Sequence, residues 1–199
     1  MGLDIPVAAV KHPMVIPNQK WSIERFQANP KKKLIQMGWY QRNTQALYSV
    51  PPIPFRKYRV LPCRWIHEEY DKRVRDHYAA AKRYDSRVIE RAYIHPDEYE
   101  SALTENVMFS QMLTASANNI VVDCIAANTP LIINAHPAVV EYLGTDYPLY
   151  YSDLDEVPEL CREDRLFAAS EYLSRLDKSW ASAESFRDSV ANAVREFTG

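Results

Sequence analysis

The sequence predicts an α/β domain built on a doubly wound parallel sheet of about six strands, with a helical C-terminal tail. Three observations predict it. Short apolar runs alternate with helix-period patterns from Lys33 to Tyr151. Turn and cap residues punctuate almost every change of period. After Tyr151 only the helical period remains. The 199 residues suffice for one domain with a substantial core, and hydrophobic residues make up 47% of them.

Residues 1–30 carry Pro6, Pro13, Pro17 and Pro30 and no sustained period. They read as an extended arm or interdomain segment, with a strand near Val7–Val10 and a short helix near Ser22–Gln27. The domain proper, residues 31–199, opens on the compact apolar run Lys33–Trp39, which closes around Gly38. A polar turn and a short helical stretch near Thr44–Tyr48 follow, and Arg56–Leu61 alternates like a strand. Ile66–Tyr84 is predicted as a helix, because Ile66, Tyr70, Val74, Tyr78 and Ala81 form one stripe. Glu68–Lys72, Glu69–Arg73 and Asp71–Arg75 add well-oriented pairs on its surface.

Arg87–Tyr93 is the next strand, and Pro96, Asp97 and Glu98 supply the first turn of a helix. Val107–Leu113 is a strand, Asn118–Ala127 a helix capped by Asn118, and Leu131–Asn134 a short strand. Pro137–Leu143 is a helix closed by Gly144, and Tyr147–Tyr151 is the last strand. Helices then run near Leu154–Cys161, over Arg165–Leu176 and from about Ser182, the last with Phe186, Val190, Val194 and Phe197 on one face. Ligands of such sheets bind outside the carboxyl ends of the strands. That rule selects four loops: Gly38–Asn43, Tyr93–Pro96, Leu113–Asn119 and Asn134–Pro137.

Composition removes several functional classes. Only four glycines exist, Gly2, Gly38, Gly144 and Gly199, so neither a dinucleotide fingerprint nor a P-loop is present. With 24 basic and 26 acidic residues the net charge is −2, and Lys31-Lys32-Lys33 is the one basic run, so no nucleic-acid surface is predicted. No stretch has the length of a membrane span, and no signal-peptide apolar region stands at the start. Cys63, Cys124 and Cys161 match no zinc or redox spacing, which fits a cytoplasmic setting.

The segment Ala117–Gly144, ANNIVVDCIAANTPLIINAHPAVVEYLG, resembles the donor-site block of GT-B glycosyltransferases. That block holds an acidic residue in a helix, a small-residue turn ending in Thr-Pro, an apolar strand, a loop, and a short helix with Glu before Gly. Here these are Asp123, Asn128-Thr129-Pro130, Leu131–Ile133, Asn134–Pro137, Glu141 and Gly144. The extension YLGTDYPLYYSDLDE looks like a subgroup of such enzymes in bacteria and large viruses, and LIQMGWYQR is similar to the strand opening their C-terminal half. The resemblance covers roughly residues 33–160. It implies a Rossmann-like GT-B half-domain that binds a nucleotide-diphosphate sugar as donor substrate and needs no metal or other cofactor. The acceptor, a glycan or another group, would be held by a missing N-terminal domain or a partner chain, since thirty residues before the first strand are too few for an acceptor domain.

Physical chemistry assigns the parts. A diphosphate seeks backbone N–H groups at a helix N-terminus, which Ser116, Ala117, Asn118 and Asn119 would offer. The same resemblance implies that the Gly38 loop faces the phosphates, and Arg42 on it is the best-placed cation. Asp123 lies one helical turn after Asn119, so both project from one face, and a carboxylate there can accept from both ribose hydroxyls. The base would rest against Tyr93 and bond the main chain near Ile94. His136 either assists transfer or caps the next helix, and Glu141 either supports the sugar site or is a surface residue. His95 reads as a cap, and the Trp39–Tyr40 pair lines the donor cleft or belongs to the core. In the large retaining family Asp123 would be the second of two acidic positions, and Ala115 stands at the first, which leaves the stereochemistry open.

Two other readings stand beside this one. Asp153-Leu154-Asp155 just after a strand is how GT-A glycosyltransferases hold magnesium or manganese against a diphosphate. The same residues run into Glu156 and a helical pattern, where acidic residues favour a helix start. The fold also serves a non-catalytic module that binds a sugar nucleotide or a partner without turnover.

Overall fold

The computed structural model describes residues 7–8, 10–61, 72, 85–114 and 119–198. Six strands form one parallel sheet: β1 (Lys33–Gln36), β2 (Arg56–Val60), β3 (Ile89–Arg91), β4 (Val107–Ser110), β5 (Leu131–Asn134) and β6 (Tyr150–Tyr151). Their order is β3-β2-β1-β4-β5-β6, and every neighbouring pair is parallel. Eight α-helices are described: α1 (Ile23–Ala28), α2 (Ala46–Ser49), α3 (Pro96–Glu105), α4 (Asn119–Ala127), α5 (Pro137–Leu143), α6 (Val157–Leu160), α7 (Glu163–Arg175) and α8 (Ala183–Thr198). Two 3-10 turns, Leu154–Glu156 and Ser179–Ala181, join the last of them. The fold class is thus a Rossmann-like α/β sheet with a helical tail.

The six strands predicted between Lys33 and Tyr151 all exist. Near Val7–Val10, where a further strand is expected, the described residues Val7, Ala8 and Val10 carry no ladder. The predicted helix Ile66–Tyr84 lies outside the described residues apart from Lys72, which is helical. Cys124 and Cys161 are buried free thiols, and Cys63 is outside the described residues. No described helix is long and apolar enough to cross a membrane.

The sheet's two faces are covered by different helices. Parallel neighbours need crossover connections, and the right-handed rule puts the connections of the two halves of the sheet on opposite faces. Alternation along β2 shows the outcome. Lys57 and Arg59 point to the α2 side, where Lys57 bonds Val50 O and Arg59 Nη1 reaches the Tyr48 hydroxyl at 3.3 Å. Tyr58 and Val60, of opposite parity, border a hollow shared with Glu98, Ser101 and Ala102 of α3.

Central strands carry the core. Val107, Met108 and Phe109 of β4 and Leu131, Ile132 and Ile133 of β5 are fully buried, as parallel strands covered on both faces must be. Helix α4 is buried nearly all round because it is wedged between α3, α5 and the sheet. Its last turn meets two cations: Lys20 Nζ donates to Ala126 O at 2.6 Å, and Lys178 bonds the Asn128 side chain. Asn128 takes the left-handed backbone that ends a helix, φ +57°. Burial, with the Lys20 charge beside it, pushes the Lys178 amine down to about 8.

The N-terminal residues pack against this body. Ser22 caps α1 by accepting from Arg25 N, and Phe26 is buried between Trp21 and Phe55 at centroid distances of 5.6 and 5.3 Å. Further upstream Met14 N donates to Ala181 O at 2.9 Å, and the Lys11 amine sits over the Tyr142 and Trp180 rings. At the other end Leu166, Ala169 and Leu173 bury one side of α7, whereas Phe186, Val190, Val194 and Phe197 of α8 stay exposed.

Asp85 opens the approach to β3 and gives the domain an acid-sensitive joint. Its carboxylate accepts from Lys57 Nζ at 3.0 Å and from Arg87 Nε at 2.8 Å, and Lys57 is only 5% exposed. The Arg87 guanidinium, with Lys57 helping and burial opposing, holds this carboxyl well below the usual range. A carboxylate depressed in the folded state contributes stability above its unfolded pKa of about 3.9, and that stability fades as pH falls below it. Asp85→Ala is therefore expected to cost about 3 kcal/mol at pH 7, because it strands a buried ammonium. In urea unfolding the gap between wild type and variant should shrink from pH 4 to pH 2; a gap that stays constant would refute the account.

Candidate functional site

The strand order reverses between β1 and β4, so the loops that follow these two strands diverge there and leave a crevice at the carboxyl edge. A cavity of about 320 Å³ occupies it. Met37, Gly38, Trp39, Tyr40 and Arg42 form one wall, from the loop after β1; Asn119, Ile120 and Asp123 of α4 and Tyr99 of α3 form the other.

The first wall is shaped by two left-handed residues, Gly38 (φ +80°) and Gln41 (φ +59°). Gly38 is required for a second reason. A Cβ there would stand 1.4 Å from Arg42 Nη1, so the guanidinium lies flat where a side chain would be. Nη1 donates to Met37 O at 2.7 Å, and Arg42 is 9% exposed. The cation predicted to reach for phosphate is thus folded back on the end of its own strand, at the cavity floor.

The loop is also paired to the loop after β4. Arg42 and Met112 form an antiparallel bridge, with Asn43 N donating to Gln111 O and Leu113 N to Gln41 O, both at 2.9 Å. Behind it the buried Gln36 side chain donates to Asn43 O at 2.7 Å and accepts from Leu47 N at 3.3 Å.

On the facing wall Asn119 and Asp123 line the cavity together, one turn apart as the helical spacing predicts. Asp123 is half-buried rather than open to solvent, and its Oδ2 accepts from the Tyr99 hydroxyl at 2.6 Å. Burial pushes the Asp123 carboxyl up, while the Tyr99 bond and the charges of His12 and Arg42 pull it back. Burial and the neighbouring carboxylate both push the Tyr99 phenol up, so it stays protonated as a donor. Sequence reasoning did not find Tyr99. It lies 24 residues from Asp123, and a tyrosine in an amphipathic helix carries no signal that separates it from core.

Other predicted residues are placed elsewhere. Ser116, Ala117 and Asn118 lie outside the described residues. Tyr93 is exposed beyond the end of edge strand β3, edge-on to His95, and does not line the crevice. Ile94 borders a different hollow of about 190 Å³, between β1–β3 and α3. The two strands β1 and β2 intervene between β3 and the switch point, which accounts for the separation. His136 and His95 each cap the helix that follows, accepting from Ala138 N at 3.3 Å and Asp97 N at 3.4 Å. Glu141 is exposed on α5. Asp153 forms a capping box with Glu156 and accepts from Asp155 N at 2.8 Å, beyond β6 at the far edge of the sheet. Among the described residues no group of three or more His, Cys, Asp or Glu is placed to share a metal ion.

No known family model matches the chain, and no curated protein does. Solved structures do. Anabaena HepE, in complex with UDP and glucose, aligns over 89% of this chain and 55% of its own at 9% identity, TM-score 0.59. The fold is that of one half of a GT-B glycosyltransferase. A glycosyltransferase of Rickettsia africae aligns over 91% of this chain and 56% of its own, with 9% identity and TM-score 0.56. For the UDP-forming α,α-trehalose-phosphate synthase of Burkholderia vietnamiensis the figures are 87%, 46%, 12% and 0.57. The chain spans about half the length of these structures. In this chain the crevice lies at the switch point of that fold.

Gly38→Ala tests the shape of the first wall. A left-handed alanine costs about 1–2 kcal/mol, and the clash with Arg42 adds to it. The melting temperature should fall, and Arg42→Ala in the same chain should restore part of the loss. Full additivity of the two substitutions would show that the guanidinium does not lie against Gly38.

Proposed function

We propose that this chain binds a nucleotide-diphosphate sugar in the crevice between β1 and β4, as the donor-binding part of a glycosyltransferase. The observation that carries the reading is the convergence of Asn119 and Asp123 with Gly38 and Arg42 around one cavity at the switch point. A nucleoside diphosphate has three features to recognise, and this wall has a chemistry for each. The start of α4 offers N–H groups and a positive dipole end to the phosphates. Arg42 supplies a cation once its bond to Met37 O is exchanged for one to a phosphate oxygen. Asp123 keeps Oδ1 for the ribose diol while Tyr99 holds Oδ2 and fixes the rotamer. Trp39 and Tyr40 give the cavity mouth an aromatic surface against which a sugar or base can lie.

Support from outside the chain is that HepE of the same fold was solved with UDP-glucose. On this reading the diphosphate is neutralised by the helix and Arg42, without a metal, and the donor is the sole small molecule required. Among the described residues neither His136 nor Glu141 lines the crevice, and on this reading a second domain or partner chain brings the acceptor. The non-catalytic module makes the same contacts but shows no turnover. Incubating the chain with a labelled sugar nucleotide separates the two, since hydrolysis or transfer appears only in the first.

Two measurements check the site. UDP should raise the melting temperature without divalent cation. A requirement for manganese, abolished by Asp153→Asn or Asp155→Asn, would instead support a GT-A-type metal site. Asp123→Asn should weaken UDP binding about ten- to hundredfold, the cost of losing bonds to a charged acceptor. A 2′,3′-dideoxy UDP should bind wild type about as poorly as UDP binds the variant. Equal affinity of wild type for both nucleotides would remove Asp123 from the ribose.

A further inference from the structure

Asn134 is the last residue of β5, and its side chain does what the backbone of the next strand residue would otherwise do. The β4–β5 ladder ends at Ser110↔Ile133. Two residues further, Met112 has left the strand, yet both of its main-chain groups are held: Met112 N donates to Asn134 Oδ1 at 2.7 Å, and Asn134 Nδ2 donates to Met112 O at 3.0 Å. A single amide side chain thus prolongs the sheet into the loop. On its other side Met112 is bridged to Arg42. Met112 therefore joins three strand ends: β4 by the chain, β1 by main-chain pairing, and β5 by one side chain.

We propose that Asn134 is a positioning residue for the nucleotide site: its two-point clamp on Met112 fixes Gln111–Leu113, the segment after β4 that is paired to the Gly38–Asn43 loop, and with it the place of that wall of the crevice. This rests on the reading of the crevice as a nucleotide site. The clamp needs a group that donates and accepts at once in one plane, and among side chains of this length only a primary amide or a protonated carboxyl does so. Aspartate, ionised, still accepts from Met112 N but sets a charge against Met112 O. Protonated, its O–H donates to that carbonyl and the clamp closes again. Leucine closes it at no pH. A site whose binding groups are held in place loses less entropy on binding than one that must order its loop first.

The test uses the full chain, UDP as probe and calorimetry at pH 5 and pH 8, with wild type as reference at each pH. Asn134→Leu should bind UDP at least tenfold more weakly at both pH values. Asn134→Asp, whose carboxyl ordinarily titrates at about 3.9 and is therefore ionised at both pH values, should fall about tenfold behind wild type at each. It keeps the volume of the amide, so a role in packing alone would leave it like wild type. Hydrogen exchange provides a readout that needs no ligand: amides of Gln111–Leu113 should exchange at least tenfold faster in Asn134→Leu, with Val107–Ser110 of β4 unchanged. Unaltered exchange in the loop overturns the clamp, and unaltered affinity in Asn134→Leu overturns its role in binding. Wild type that binds no nucleoside diphosphate sinks the proposed function and the ligand half of this inference, while the exchange result still decides the clamp.

Discussion

The carboxyl edge of this domain is organised by the main-chain pairing of Met112 with Arg42. Each of these loops follows a strand, and each would by itself be free to choose its path. Paired, they remove one another's freedom at the cost of only a few hydrogen bonds, because the strands beneath are already fixed by a fully buried ladder. The crevice takes its width from that pairing. Gln36 backs it from below: its amide, 1% exposed, donates to Asn43 O in the loop and accepts from Leu47 N in α2, so both ends of the amide are paired with main chain. A buried amide is costly when unpaired and rigid when paired, and here the second case applies.

The position of the site follows from chain direction more than from any single residue. Strand β4 begins the half of the sheet that runs away from β3, and the Asn119 end of α4 lines the crevice opposite the loop after β1. Its apolar circumference locks α4 between α3 and α5, which points one free face, that of Asn119 and Asp123, at the crevice. Tyr99 then spans from α3 to α4. A tyrosine whose hydroxyl meets a half-buried carboxylate does two things: it shares the desolvation of the charge and it stops the aspartate from rotating.

Much of this was legible in the sequence, and the limits have physical causes. Six strands were readable because apolar runs sit between Pro, Gly and Asn breaks. Their ends were not: Lys33–Trp39 stops at Gln36 because Gly38 turns left-handed, and Arg87–Tyr93 shrinks to Ile89–Arg91 at a sheet edge where one partner is missing. The Asn119–Asp123 face came from helical spacing, which is local. Tyr99–Asp123 and Asn134–Met112 are contacts between elements, and no periodicity encodes them. Arg42 shows a third limit, since charge and loop position placed it at the cavity but could not say that its guanidinium would lie on a glycine.

The bond from Met14 N to Ala181 O has an architectural consequence. It brings residues 167 positions apart in the chain to within one hydrogen bond, on the same side of the folded body, with Lys11 seated on the Tyr142 and Trp180 rings beside it. Chain enters and leaves the α/β body at a single point. A unit with that geometry behaves as a cassette: it can sit within a longer polypeptide without stretching the segments that flank it, and joining those segments to each other would close the body on itself with a short connector.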